Sequence, residues 1–199
     1  MLPVLMMACT FGGFFIYISA APIIVYDHLH MGVRDFGYYF IPVVIGMMSG
    51  AWLAGRTAHR VSALASVLVG SIIMLVAAVV NVSIATDGAQ TLVGVLAPII
   101  LYIFGLAYMM PSLSILILDR LPSNRGLASA MQSFAQTGGN ALVAGLVVPL
   151  VHTSHRQITL AMLVLNLAGL LLGAIWWFRY RTELGLSPAQ ADAPGGGAA

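Results

Sequence analysis

The side chains with the clearest chemical potential lie on one helical face around residue 136. Polar residues recur there at three- and four-residue spacing, at Ser129, Gln132, Ser133, Gln136 and Asn140. On a helix of 3.6 residues per turn, this spacing places all five on one side. Amides in apolar surroundings are costly unless they are hydrogen-bonded. The face is therefore predicted either to line a wet cavity or to hydrogen-bond a neighbouring helix, and the sequence leaves both interpretations open.

Tyrosine and methionine in other apolar segments extend this candidate cavity. A tyrosine offers a hydroxyl on a flat ring and a methionine a flexible thioether, which suits an adaptable pocket. Tyr17 lies in the first apolar segment, and Tyr102 and Met109 share one face of a later segment. Ordinary packing accounts for any one of them taken alone. The predicted cavity residues are Tyr17, Tyr102, Met109, Gln132, Gln136 and Asn140.

Residues for other kinds of chemistry are missing. No apolar segment combines a nucleophile, an acid and a base, so the sequence predicts no catalytic residue and no enzyme. A net charge of +2 over isolated arginines provides no patch for nucleic acid. Neither a metal nor a cofactor is expected, because four of the histidines lie in two short segments without diagnostic ligand spacing. These are His28, His30, His152 and His155.

Six long apolar segments must position the candidate residues. The chain has 199 residues, of which 7% are charged and 60% hydrophobic, whereas soluble domains are about 25% charged. Its charges leave six charge-free runs, and each is long enough to cross the ~30 Å hydrocarbon core of a bilayer. We predict an all-α membrane protein with six transmembrane helices in one domain, residues 1–180. The predicted spans are about 3–25, 36–54, 62–84, 92–118, 127–151 and 158–178.

The arginines predict the orientation of these spans. With the N-terminus in the cytoplasm, only Arg34 and Arg156 face outward, and the positive-inside rule is obeyed. The arginines then on the cytoplasmic side are Arg56, Arg60, Arg120, Arg125, Arg179 and Arg181. Both termini are therefore predicted to be cytoplasmic. Residues 181–199 are small and rich in Pro and Gly, so we predict a disordered cytoplasmic tail there.

Three segments resemble, in their order and spacing, the C-terminal half of a major facilitator superfamily transporter of the Bcr/CflA-type drug:proton antiporter family. The first is residues 14–26, FFIYISAAPIIVY, followed by FGYYF at 36–40. The second is the basic loop AGRTAHR at 54–60, and the third is residues 118–142, LDRLPSNRGLASAMQSFAQTGGNAL. The resemblance covers residues 3 to about 180 and implies two inverted three-helix repeats.

This resemblance implies a function as well as a fold. It implies a half-transporter in the bacterial inner (plasma) membrane, with multidrug efflux of drug-like amphipathic small molecules by alternating access. Helices one, two, four and five would face the central cavity or a partner, which is either an N-terminal half or a second copy of the chain. Arg56 and Arg60 would form the cytoplasmic basic loop, although Gly55 and Ala58 replace the family's Asp and Gly. Proton coupling is expected only from the N-terminal half, which carries the family's acidic coupling residues.

Two other functions fit the same residues. The chain could be a non-transporting integral membrane protein whose polar helix faces serve assembly into a larger complex. It could also be a non-functional truncated transporter, because its length is about half of that implied by the resemblance.

Overall fold

A computed structural model describes residues 2–24, 26, 36–86, 92–151 and 153–184, excepting the side chains of residue 36 and residues 180–184. Within these ranges the protein consists of helices and short turns. Six helices are long and apolar enough to cross a membrane, so the predicted all-α, six-helix membrane fold is confirmed. They are α1 Leu2–Ile23, α2 Phe36–Thr57, α3 Ala63–Thr86, α4 Leu92–Leu118, α5 from Arg125 to Val151 and α6 His155–Leu184.

Helix α5 is not uniform along its length. It follows a 3₁₀ turn at Pro122–Asn124, is α-helical over Arg125–Leu142, widens to a π-helix over Val143–Val147 and ends in an α-turn at Val148–Val151. The π-helical segment lies just before Pro149. Proline has no N–H to donate to the preceding turn, and its ring crowds the carbonyl four residues earlier. The wider turn accommodates this defect without ending the span.

Helix α6 continues past its predicted end. The prediction stops the span at residue 178, whereas the helix reaches Leu184, so residues 181–184 of the predicted tail continue it. Hydropathy marks where a chain leaves the membrane, but a helix ends where its backbone hydrogen bonding ends, and the sequence RYRTEL permits further turns. The rest of the predicted tail, residues 185–199, lies outside the described residues.

The helices form a ring of four with two flanking helices. Extensive packing joins α3 to α4, α6 to α1 and α3 to α6, and a smaller contact between α1 and α4 closes the ring. Helix α2 packs mainly on α4, and α5 packs mainly on α1. The two central helices, α1 and α4, are consequently the most buried spans, and the flanking helices α2 and α5 are the least buried.

The main pairings are symmetric between the two halves of the chain. If α1, α2 and α3 are exchanged with α4, α5 and α6, the α3–α4 pair becomes α6–α1, and α2–α4 becomes α5–α1. Each unit has three spans, and successive spans alternate in direction. Equivalent helices of the two units therefore run in opposite directions across the membrane, which is the arrangement of an inverted repeat.

Glycine contacts hold the equivalent ring pairs together. A Cβ atom at position 70 would lie 2.7 Å from the carbonyl oxygen of Gly105, so α3 and α4 touch backbone to backbone. At the α6–α1 contact, a Cβ atom at Gly169 would lie 2.7 Å from Cγ2 of Thr10. Small residues permit this close approach, which gives membrane helices their packing contacts in the absence of a hydrophobic driving force between them.

Replacing Gly105 with alanine should destabilise the fold. The added methyl group has no space against Gly70, and overpacking of this kind costs about 1–3 kcal/mol. Gly138→Ala is the matched control, since nothing lies within 4 Å of its added Cβ atom and alanine is the better helix former by up to about 1 kcal/mol. Unfolding by SDS titration in mixed micelles, followed by circular dichroism, measures both. Equal stability of the two variants would contradict the close α3–α4 contact.

Candidate functional site

Two of the predicted cavity residues, Tyr17 and Tyr102, lie inside the bundle. Tyr102 on α4 is 1% exposed, and its hydroxyl donates a hydrogen bond of 2.9 Å to the carbonyl oxygen of Thr10 on α1. Tyr17 on α1 is fully buried and stacks on Tyr39 of α2, with ring centroids 4.8 Å apart and planes at 14°. The two tyrosines therefore connect α1 to α4 and to α2.

Met109 is also buried, on the side of α4 that faces α3. Its sulfur accepts a hydrogen bond of 3.3 Å from the hydroxyl of Ser71, and Gly70 packs against it. The face of α4 that carries Tyr102, Gly105 and Met109 is thus a packing face in this structure. A ligand could reach these side chains only if the helices separated. That Tyr17, Tyr102 and Met109 line a cavity stays a prediction.

The amide residues of α5 occupy a different position, at the border between the bundle and its open surface. Gln132, Gln136 and Asn140 are half-buried, and their four-residue spacing makes them one stripe along the helix. Gln132 donates a hydrogen bond of 2.6 Å from its Nε2 to the hydroxyl oxygen of Ser114 on α4. The Oδ1 atom of Asn140 is buried and has no hydrogen-bond partner within the described residues.

A second polar row on α5 is fully open. Ser129, Ser133 and Thr137 are exposed and follow the amide stripe one step around the helix. Thr137 was missing from the predicted face, although its four-residue spacing from Ser133 was the signal that would have included it. We call the two rows together the α5 polar face. It consists of Ser129, Gln132, Ser133, Gln136, Thr137 and Asn140.

The backbone of α5 is open on the side of the helix away from this face, because Gly138 is two residues, or about 200° around the helix, from both Gln136 and Asn140. Nothing lies within 4 Å of a Cβ atom built on Gly138 or Gly145, whereas one built on Gly139 would lie 3.7 Å from Cβ of Ala8. Glycines with free space above them leave a shallow groove into which another helix can pack. The described residues of the six helices do not fill that groove.

The other flanking helix presents an apolar surface instead. Five large side chains of α2 at three- and four-residue spacing are each 60–68% exposed, and they form one ridge. They are Tyr38, Ile41, Ile45, Met48 and Trp52. This ridge is compatible with acyl chains or with an apolar partner. The amides of the α5 polar face need water or a partner that supplies hydrogen bonds, whereas its serines and threonine can bond their own backbone.

The predicted basic loop lies at the end of α2 and in the turn that follows. The guanidinium of Arg56 lies 5.4 Å from the centre of the Trp52 ring, a cation–π contact. The backbone N–H of Arg60 donates to the carbonyl of Thr57 in the turn. Both arginines are exposed, so the structure provides no buried ion pair at this loop.

No cluster of three potential metal ligands occurs among the described residues. His155 is buried at the start of α6, while His28, His30 and His152 lie outside the described residues. The predicted absence of a metal and a cofactor stays a prediction.

Comparison with known proteins identifies no relative, because no protein family, no curated protein and no solved structure matches the chain. The resemblance to major facilitator transporters consequently stays a prediction. The function has to be argued from the six helices and from the surfaces they leave open.

The hydrogen bond between Tyr102 and Thr10 gives a direct test of the α1–α4 contact. Tyr102→Phe removes the buried hydroxyl and should lower the free energy of unfolding by about 1 kcal/mol. Tyr38→Phe is the matched control. The Tyr38 side chain is 68% exposed, so loss of its hydroxyl group should not measurably change the free energy of unfolding. SDS titration of both variants measures the difference. If both variants are as stable as the wild type, the hydrogen bond between Tyr102 and Thr10 does not hold α1 and α4 together.

Proposed function

We propose that the chain is one six-helix half of a transporter that exports amphipathic, drug-like small molecules by alternating access. The observation that carries this proposal is the α5 polar face, which the six helices leave uncovered. The half-buried amides of Gln136 and Asn140 are unfavourable against acyl chains, which offer no hydrogen bonds. Another protein surface or a water-filled cavity would provide hydrogen bonds to these groups.

The helix pairings support a half of a larger bundle. Their symmetry is that of an inverted repeat, an arrangement in which transporters place the substrate near the middle of the membrane. Helices α2 and α5 flank the ring and have most of their surface free. A second six-helix unit packed across them would enclose a cavity with the α5 polar face in its wall.

Within such a cavity, the α5 residues would contact the substrate first. Gln136 and Asn140 are half-buried and offer amide groups to a substrate. Tyr17, Tyr102 and Met109 lie deeper and would take part only in a state in which the ring helices move apart. The substrate class that fits is a largely apolar molecule with a few hydrogen-bonding groups.

Energy coupling would come from the partner. The described spans hold no aspartate or glutamate in their interior, and Asp119, at the end of α4, pairs with Arg125 at 3.3 Å. Transport driven by protons or sodium ions generally requires an ionisable group within the membrane. An N-terminal half as the partner would supply it, whereas a second copy of the chain would bring no acidic residue within its described spans.

A second candidate function is assembly without transport. The hydrogen bond from Gln132 to Ser114 favours it, because that bond shows part of the polar face already serving helix-to-helix contact. The open groove at Gly138 and Gly145, on the side of α5 away from the polar face, could hold a further partner helix. In this alternative, the polar face would join the chain to a larger membrane complex.

We further propose that the chain resides in a bacterial inner membrane with both termini in the cytoplasm. The first turn of α1, the end of α4 and the end of α6 line one cavity, so Arg120 and Arg179 share the end of the bundle at which α1 begins. Arginines concentrated at one end mark the cytoplasmic side.

Reporter fusions should reveal this orientation. Green fluorescent protein fused after the last residue is expected to fluoresce, and alkaline phosphatase inserted between α3 and α4 is expected to be active. Phosphatase inserted between α2 and α3 is the control and should be inactive. The opposite pattern would place both termini outside and would overturn the proposed orientation.

Paired expression tests the transport proposal. Co-expression with a matching N-terminal half should lower the accumulation of a fluorescent amphipathic drug in cells. Gln136→Leu should reduce the efflux rate several-fold, because a buried polar contact to the substrate is lost. Gln157→Leu, at an exposed position near the start of α6, is the matched control and should leave efflux unchanged.

The same variants separate the two candidate functions. If Gln132→Leu and Gln136→Leu abolish association with a partner while the fold persists, the polar face serves assembly. If association persists and drug efflux or drug binding changes, the face lines a pocket. No reduction of drug accumulation in any pairing would count decisively against transport.

A further inference from the structure

A cavity separate from the α5 polar face lies at the end of the bundle where α1 begins. Its volume is about 510 Å³, within the range of sites that bind small molecules. The start of α1, the ends of α4 and α6 and the first turns of α5 form its walls. Among the described residues that line it, two are arginines, Arg120 and Arg179, and none is acidic.

The arginines make this cavity suitable for an anion. The guanidinium of Arg120 lies 5.5 Å from the centre of the Trp176 ring, which is 7% exposed and forms part of the wall. This contact holds the planar group at the cavity, and a guanidinium presents paired donors that match the oxygens of a phosphate. The adjacent carboxylate, Asp119, pairs with Arg125 and is not among the lining residues.

The rest of the lining makes the cavity suitable for an amphiphile. Leu2, Val4, Ile117 and Met131 give it apolar walls next to the two arginines. A second cavity, of about 310 Å³, lies between α1, α3 and α6, and Trp176 belongs to the walls of both cavities. Apart from Ser71, the side chains that line this second cavity are apolar or are glycine. A charged cavity and an apolar groove therefore share Trp176 as a common wall.

From this arrangement we propose that the basic cavity binds an anionic phospholipid of the cytoplasmic leaflet. Arg120 and Arg179 bind its phosphate, and one acyl chain follows the apolar groove behind Trp176. Basic pockets between transmembrane helices on the cytoplasmic side have the charge and depth that lipid head groups require. The site is distinct from the α5 polar face and does not depend on the transport proposal, and only its assignment to the cytoplasmic leaflet rests on the proposed orientation.

Lipid binding by the purified full chain tests this proposal. Native mass spectrometry, with phosphatidylglycerol or phosphatidylcholine added to detergent-solubilised protein, gives the affinity for each lipid. The wild type should bind phosphatidylglycerol about tenfold or more tightly than phosphatidylcholine, a difference of about 1.4 kcal/mol per factor of ten. The double variant Arg120→Gln, Arg179→Gln should lose this preference. Arg56→Gln, Arg60→Gln removes the same charge from an exposed turn and should keep it.

Two further measurements decide the remaining outcomes. Brominated phosphatidylglycerol should quench tryptophan fluorescence of the wild type more than brominated phosphatidylcholine does, and this requires no variant. Glycerol phosphate without acyl chains should compete weakly. If it competes as well as the lipid, the site binds free phosphates and the lipid assignment is wrong. The proposal would also be overturned if the wild type bound the two lipids equally. The same holds if the Arg120→Gln, Arg179→Gln and the Arg56→Gln, Arg60→Gln variants lost the preference for phosphatidylglycerol to the same extent.

Discussion

The structure depends on one constraint, that acyl chains offer no hydrogen bonds to a polar group. The backbone meets it by forming helices, and short polar side chains meet it by bonding their own helix, as when the hydroxyl of Thr10 donates to the carbonyl of Met6 at 2.9 Å. Ser83 and Val79 repeat this arrangement on α3. The long amides of α5 reach away from their own backbone. They therefore need a partner outside their helix, and Gln132 finds one in Ser114.

Under the same constraint, helices associate through packing rather than through expulsion of water. The contact between Gly70 and Gly105 brings two backbones together, and the Tyr102 hydroxyl joins α4 to α1 across the ring. The ring of α1, α4, α3 and α6 is consequently well packed, whereas α2 and α5 retain free surface. Polar and glycine-lined surface is thus concentrated on α5, where a second unit or a solvated cavity can meet it.

The sequence predicts the helices better than the contacts, because apolar length is a local property. The predicted bounds of α4 coincide with Leu92–Leu118, and the other spans begin within a few residues of their predicted starts. The predicted end of the sixth span, residue 178, agrees with the apolar span that ends at Arg179, although the helix itself continues to Leu184. Periodicity placed Tyr102 and Met109 on one face but could not reveal that α1 and α3 cover it. The open polar row of α5 was partly predicted, and only Thr137 was missed.

The order of helix contacts also bears on how the chain is made. Helix α1 has its main partners in α6 and α5 and a smaller contact with α4, and all three are synthesised after it. Until they are inserted, the Tyr102 bond to Thr10 and the glycine contact at Gly169 cannot form. Helix α1 must therefore wait in the bilayer, or beside the insertion machinery, while most of the remaining domain is translated. Tertiary closure of the ring is a late event of biosynthesis, and ribosome stalling before α6 would leave a half-assembled intermediate for quality-control proteases.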